Sequence, residues 1–189
     1  MRRRAPRPQL KRGPLGCYGS AVSNRLYSLC GLQFEGRRVL FLWFTNDQDG
    51  VEQTPGGAIL TFPDQDAALT YARSHLLDLE AEPPIWYDLD AIARWCDTPD
   101  ATGIDCDTFL RAWNLLGDLG VGPDSIFRGA DRRATPIYDK LFFGNNLPSV
   151  TPPGDSYVPA WSDAEVVELT RLFRLGLAEL KGRLSPVAA

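Results

Sequence analysis

Hydrophobic positions change their spacing repeatedly along this 189-residue chain, and each change marks a new element. The run Arg38–Thr45 is almost continuously apolar, β-branched and aromatic, which predicts a buried central strand. Asn46 to Gly50 supplies turn residues, and Gly57–Phe62 reads as a partner strand in a hairpin or short meander. From Asp64 the apolar spacing becomes three and four. Ala68, Leu69, Ala72, Leu76 and Leu79 share one face of a helix of about four turns, stopped by Pro83-Pro84. A shorter amphipathic helix follows over Asp88–Trp95, with Leu89, Ile92 and Trp95 inward. Another runs from Asp105 to about Leu116, with Phe109, Leu110, Trp113 and Leu116 inward, and the glycines of Gly117–Gly122 end it. After a basic loop at Arg128–Arg133, Pro136–Phe143 is a short apolar segment whose length suits strand or helix. Gly144–Pro159 is proline-rich, a long irregular loop of the kind compact domains seldom keep without a use.

The last helix carries its own start signal. Ser162-Asp-Ala-Glu165 is a capping box, and Val166, Leu169, Phe173, Leu177, Leu180 and Leu184 then form a stripe at helical spacing. Together these elements predict one α+β domain over residues 17–189, a small antiparallel or mixed sheet packed against about four helices. No internal repeat is present. Residues 1–16, rich in Pro, Gly, Lys and Arg, cannot bury enough apolar surface to order; a disordered basic arm is expected there, with order beginning near Tyr18.

Charge divides the chain in the same place. The formal net charge of −4 averages two unlike regions. Residues 1–38 hold nine basic residues and one acid, a charge of +8, whereas residues 39–189 hold eleven basic and 23 acidic residues, a charge of −12. The arm has no aromatic side chain for base stacking, so nucleic acid is not its expected partner. The longest strongly apolar run, Val39–Phe44, falls far below the ~20 residues of a membrane helix, and no apolar stretch follows the N-terminal arginines as an export signal requires. The expected compartment is the cytoplasm, with Cys17, Cys30, Cys96 and Cys106 as free thiols in or near the core.

Few chemistries survive this inventory. The cysteines form no C-x-x-C, and the single histidine, His75, excludes any scheme that needs two imidazoles. Phosphate-binding glycine loops, dinucleotide fingerprints and the G-x-S-x-G elbow are absent; no cofactor or metal is expected. Four Asp-x-Asp pairs stand out. Asp64/Asp66, Asp88/Asp90 and Asp105/Asp107 each precede an amphipathic run, so the first Asp is expected to cap the helix and the second to sit in its favourable first turn. The fourth, Asp47/Asp49 before Gly50, fails as a calcium loop because Thr45 and Gly56 occupy the two anchor positions. His75 is expected near a helix C-terminus as a surface or capping residue. Trp43, Trp95 and Trp113 read as core, and Trp86 and Trp161 as staples at helix starts.

Tyr138–Pro148, followed by Tyr157–Ser162 and the capped final helix, resembles a loose group of bacterial proteins associated with the immunity proteins of polymorphic toxin systems. The aromatic strand ending in the turn Phe44–Gly50 and the helix start Tyr87–Asp90 share that pattern, which covers roughly residues 20 to 185. The resemblance implies a small cytoplasmic α+β protein that neutralises a cognate toxin domain, without a catalytic residue of its own. An acidic body suits a basic toxin through steered association. On this reading the partner-binding residues are Asp47, Asp49 and Glu52 in one turn, and Asn145, Asn146, Asp155 and Tyr157 in the proline-rich loop. Two other readings compete. One is an enzyme using carboxylates, or His75 with a cysteine; the other is a nucleic-acid-associated protein using its arm.

Overall fold

The computed structural model of this protein describes residues 25–45, 49–120, 127 and 133–184. The basic arm, Cys17, the expected start of order near Tyr18, Asp47 and most of the basic loop at Arg128–Arg133 lie outside the described residues.

Two nine-residue strands, β1 (Leu26–Phe34) and β2 (Arg37–Thr45), pair antiparallel over their whole length. Glu35 and Gly36 link them, both left-handed with φ of 52° and 68°, the two-residue turn whose twist matches a hairpin. The central strand expected from Arg38–Thr45 is β2. Its partner β1 has a broken apolar pattern, with Ser28, Gly31 and Gln33 among its hydrophobic residues. Outside this pair each edge is an interrupted strand. β3 (Gly50–Val51) and β4 (Thr61–Phe62) both run antiparallel to β2, at Trp43↔Val51 and Leu40↔Phe62. β5 (Asp78–Leu79) and β6 (Ile85–Asp88) both run parallel to β1, at Leu26↔Asp78 and Gly31↔Trp86. The partner strand expected over Gly57–Phe62 is therefore shorter, because Gly57 takes a turn conformation at φ 80° and only Thr61–Phe62 pairs with β2.

Among the described residues five helices complete the α+β domain: α1 (Gln65–Ser74), α2 (Leu89–Asp97), α3 (Cys106–Asp118), α4 (Thr135–Gly144) and α5 (Asp163–Arg183). The count exceeds the expected four because Pro136–Phe143 is helical, with its proline in the first turn where no amide partner is needed. Asp64, Asp88 and Asp105 cap α1, α2 and α3 by accepting amide hydrogens from Ala67, Ala91 and Thr108, and Ser162 with Glu165 completes the capping box of α5. Among the described residues no helix is long and apolar enough to cross a membrane.

Alternation along β1 and β2 sends side chains to two cores. Cys30, Leu32, Phe34, Val39 and Phe41 join the main core with residues of α2, α3, α4 and α5. There Trp113 and Phe173 are almost wholly buried and meet edge to face, with ring centroids 6.2 Å apart. Tyr27, Leu29, Leu40 and Leu42 face the other way and pack with Phe62 and Ala68 beneath α1. Helix α1 is shorter than its periodicity suggested. Its chain reverses at Leu76, which is 93% exposed at φ 54°, with the Leu77 amide closing back onto the Ala72 carbonyl. Ending there frees Leu77 and Leu79 to pack on the second core, and Leu79 to pair with Tyr27. Pro83-Pro84 therefore plays no part in stopping the helix.

Trp86 is the other correction. It is not a staple at a helix start but part of β6, lying flat on Gly31 with the Arg38 guanidinium 4.0 Å from its ring centroid. The missing side chain at Gly31 is what lets the indole rest on the sheet, since a Cβ there would overlap its six-membered ring.

Two stability predictions follow from these positions. Gly31→Ala should cost about 1–3 kcal/mol by chemical denaturation, and much less in a Trp86→Ala background, because the clash disappears with the indole. Leu76→Gly should raise stability by roughly 0.5–1 kcal/mol while Leu76→Ala leaves it unchanged. Relief of left-handed strain exceeds the added freedom of the unfolded glycine, and the exposed side chain contributes little packing.

Candidate binding surface

The described parts of the two sequence-predicted patches lie near opposite ends of helix α3. At its C-terminal end the Trp43 indole donates to Asp118 Oδ2 at 3.2 Å, which fixes the end of β2 that leads into the first patch. At its N-terminal end Asn145 Nδ2 reaches Asp107 Oδ1 at 3.4 Å, beside the second patch. Asp107 and Asp118 are roughly 16 Å apart along the axis at a helical rise of about 1.5 Å per residue. The described residues of the two patches are therefore set apart by about the length of α3.

In the first patch the described carboxylates are engaged within the fold. Asp49 accepts from Thr45 Oγ1 at 2.7 Å. Glu52 accepts from the Tyr27 hydroxyl at 3.3 Å and lies 3.9 Å from an Arg25 guanidinium nitrogen, partly buried beside the second core. These contacts tie both carboxylates to the edge of the sheet, with Glu52 partly buried and Asp49 exposed.

The second patch is built differently. Asn145 caps α4 and Asn146 turns the chain with φ 52°. The Asn146 side chain clasps the far end of the loop like a strand partner: its Nδ2 donates to the Gly144 and Tyr157 carbonyls, and its Oδ1 accepts the Tyr157 amide at 2.7 Å. Turns closed by Leu147 with Val150 and Thr151, and by Pro152 with Asp155, hold the loop between. Both asparagines thus position the loop. What they position is an open groove of about 560 Å³ lined by Phe143, Val150, Pro152, Asp155 and Tyr157 among others. Phe143, Val150 and Tyr157 are each more than 40% exposed.

Phe143, Val150 and Pro152 were not among the residues expected from sequence. The signal was present in α4, where Ile137 and Leu141 are the buried pair, so Phe143 falls off the buried stripe as a large aromatic without a core to enter. It is visible only once Pro136–Phe143 is assigned to a helix. A smaller notch of about 260 Å³ lies between β6 and α3. Its charged groups are mutually occupied: Asp107 holds Arg111 through both oxygens at 3.0 and 2.9 Å, and Asp88 caps α2.

The candidate nucleophiles are dispersed through the fold. Burial pushes the Cys30 thiol up to about 12, with a further contribution from the Asp118 carboxylate. Burial also raises Cys96 to about 11, against the opposing charge of Arg174, and raises Cys106. All three are thus protonated at neutral pH, away from the low-pKa setting that activates a thiol. His75 ends α1, as expected, and stacks on Tyr71 with ring centroids 3.9 Å apart while its Nδ1 meets the Tyr71 carbonyl at 2.9 Å. Among the described residues no group of three or more His, Cys, Asp or Glu is placed to hold a metal ion.

Lys140 joins α4 to the capping box of α5, its ammonium donating to the Ala160 carbonyl at 2.7 Å and to Glu165 at 2.8 Å. Lys140 and the Ser162 amide hold the Glu165 carboxyl below the usual carboxylate range. A depressed carboxyl contributes stability above its unfolded value, about 4.3, which is lost as pH falls through the lower folded value. The thermal midpoint difference between the wild type and Lys140→Met should therefore be largest near neutral pH and shrink on acidification below about pH 4, as checked by melting curves. No protein-family model, curated protein or solved structure matches this chain.

Proposed function

We propose that this chain acts by binding, as an immunity-type protein that neutralises a cognate toxin domain, and that the loop face beyond α4 makes the contact. The observation that carries the reading is the groove itself. Three half-exposed apolar side chains are held open by a proline-rich loop whose two ends are clasped together by the Asn146 side chain. Residues 145–160 contribute no side chain to either core, and exposed apolar surface of this kind suits a protein contact. The charge of −12 on residues 39–189 supplies steering toward a basic partner. The segments that carry the resemblance to immunity proteins, Tyr138–Pro148 and Tyr157–Ser162, contribute Phe143 and Tyr157 to this groove.

The test is co-expression with the product of the adjacent upstream gene. That product should arrest growth alone, and this chain should restore growth and co-purify with it. Their association rate should fall by about tenfold or more between low and high salt, since steering is screened. A harmless neighbour, or a toxic one that stays unbound in the presence of this chain, would sink the proposal.

A further inference from the structure

We infer that the groove between Phe143 and Tyr157 receives a short segment of the toxin in which one large apolar side chain is flanked by Lys or Arg. The inference rests on the immunity reading for the source of that segment, but the chemistry of the occupant comes from the groove. Its volume of about 560 Å³ has room for an aromatic or long aliphatic side chain together with its backbone. The Phe143 ring is held edge to face against Phe142 at 5.4 Å, and the opposite wall is fixed by the Asn146 clasp on Tyr157. Both walls are therefore in place before anything binds, which lowers the ordering cost of a contact.

The rim sets the charge of the occupant. Asp155 lines the groove, and Asp139 stands one helical turn before Phe143 on the same side of α4. Neither enters an ion pair among the described residues. The neighbouring cation that could have neutralised them, Lys140, is committed to Glu165 and the Ala160 carbonyl on another side of the helix. The groove thus presents an apolar floor with the Asp155 carboxylate in its lining and Asp139 a helical turn away from Phe143, complementary to a basic segment with an apolar anchor and repellent to an acidic one.

Three capped pentapeptides, GKFRG, GKARG and GEFEG, test this chemistry on the full-length chain by NMR titration. GKFRG should shift the Val150 methyl and the Phe143 and Tyr157 ring signals. GKARG should bind at least tenfold more weakly, and GEFEG should leave those signals unmoved. Asp155→Lys should remove the preference for the basic peptide. In the co-expression assay Tyr157→Ser and Asp155→Lys, both exposed and with melting temperatures matching the wild type, should lose neutralisation and weaken toxin binding at least tenfold. Variants that protect as well as the wild type overturn the inference and leave immunity standing. A wild type that fails to protect while its groove still takes GKFRG overturns immunity instead. Two other occupants are separable. If replacing the Lys and Arg of residues 1–16 by Ser moves the groove signals without any partner, the chain's own arm fills it. If Tyr157→Ser abolishes a concentration-dependent dimer, a second copy does. Either result overturns the inference.

Discussion

The register of β1 against β2 is the constraint from which the rest of the molecule follows. A two-residue turn with both residues left-handed admits one pairing, and that pairing places Leu32 opposite Val39 and Cys30 opposite Phe41 on one face. A slip of one residue would exchange the contents of the two cores. The turn is itself held from outside, by the Gly36 amide donating to Asp90 at 3.1 Å and by an ion pair between Glu35 and Lys181. Helices α2 and α5 are therefore tied to the same point that sets the sheet.

Helix α5 extends this principle to the helical layer. Besides its apolar stripe it sends Arg174 to the Cys96 carbonyl in the last turn of α2 and Arg183 to the Leu119 carbonyl at the end of α3, at 2.5 and 2.6 Å. Each cation meets unpaired carbonyls where a helix presents partial negative charge. Acidic residues are used at the opposite ends, as caps of α1, α2 and α3. Much of the body's charge is thus consumed by secondary structure, and the carboxylates at the groove matter because they are not.

Legibility varied with how local each signal was. The three aspartate caps, the capping box, the inward faces of α2 and α3 and the strand β2 were readable because each depends on residues within a turn or two. Strand β1 was not, since Ser28, Gly31 and Gln33 break its pattern and its identity depends on β2 across the turn. The true end of α1 was hidden because Leu76 continues the helical period yet points into solvent, while Leu77 and Leu79 are recruited by the second core. Trp86 was misread for the same reason: its place depends on an absent side chain at Gly31, fifty-five residues earlier. At the groove, Asp155 and Tyr157 were legible as loop residues, whereas Phe143 needed the helix to show which side of α4 it occupies.

The sequence by itself determined where α1, α2, α3 and α5 begin, which strand is central, and that an irregular loop precedes the last helix, because caps, periodicity and prolines act over a few residues. Only the tertiary structure decided which polar groups remain open to a partner. Asn145, Asn146, Asp49 and Glu52 look alike in the chain as exposed polar residues, but each finds a partner brought to it by folding. Whether a side chain is spent inside the fold or left free is a property of distances between segments far apart in sequence, and no local pattern carries it.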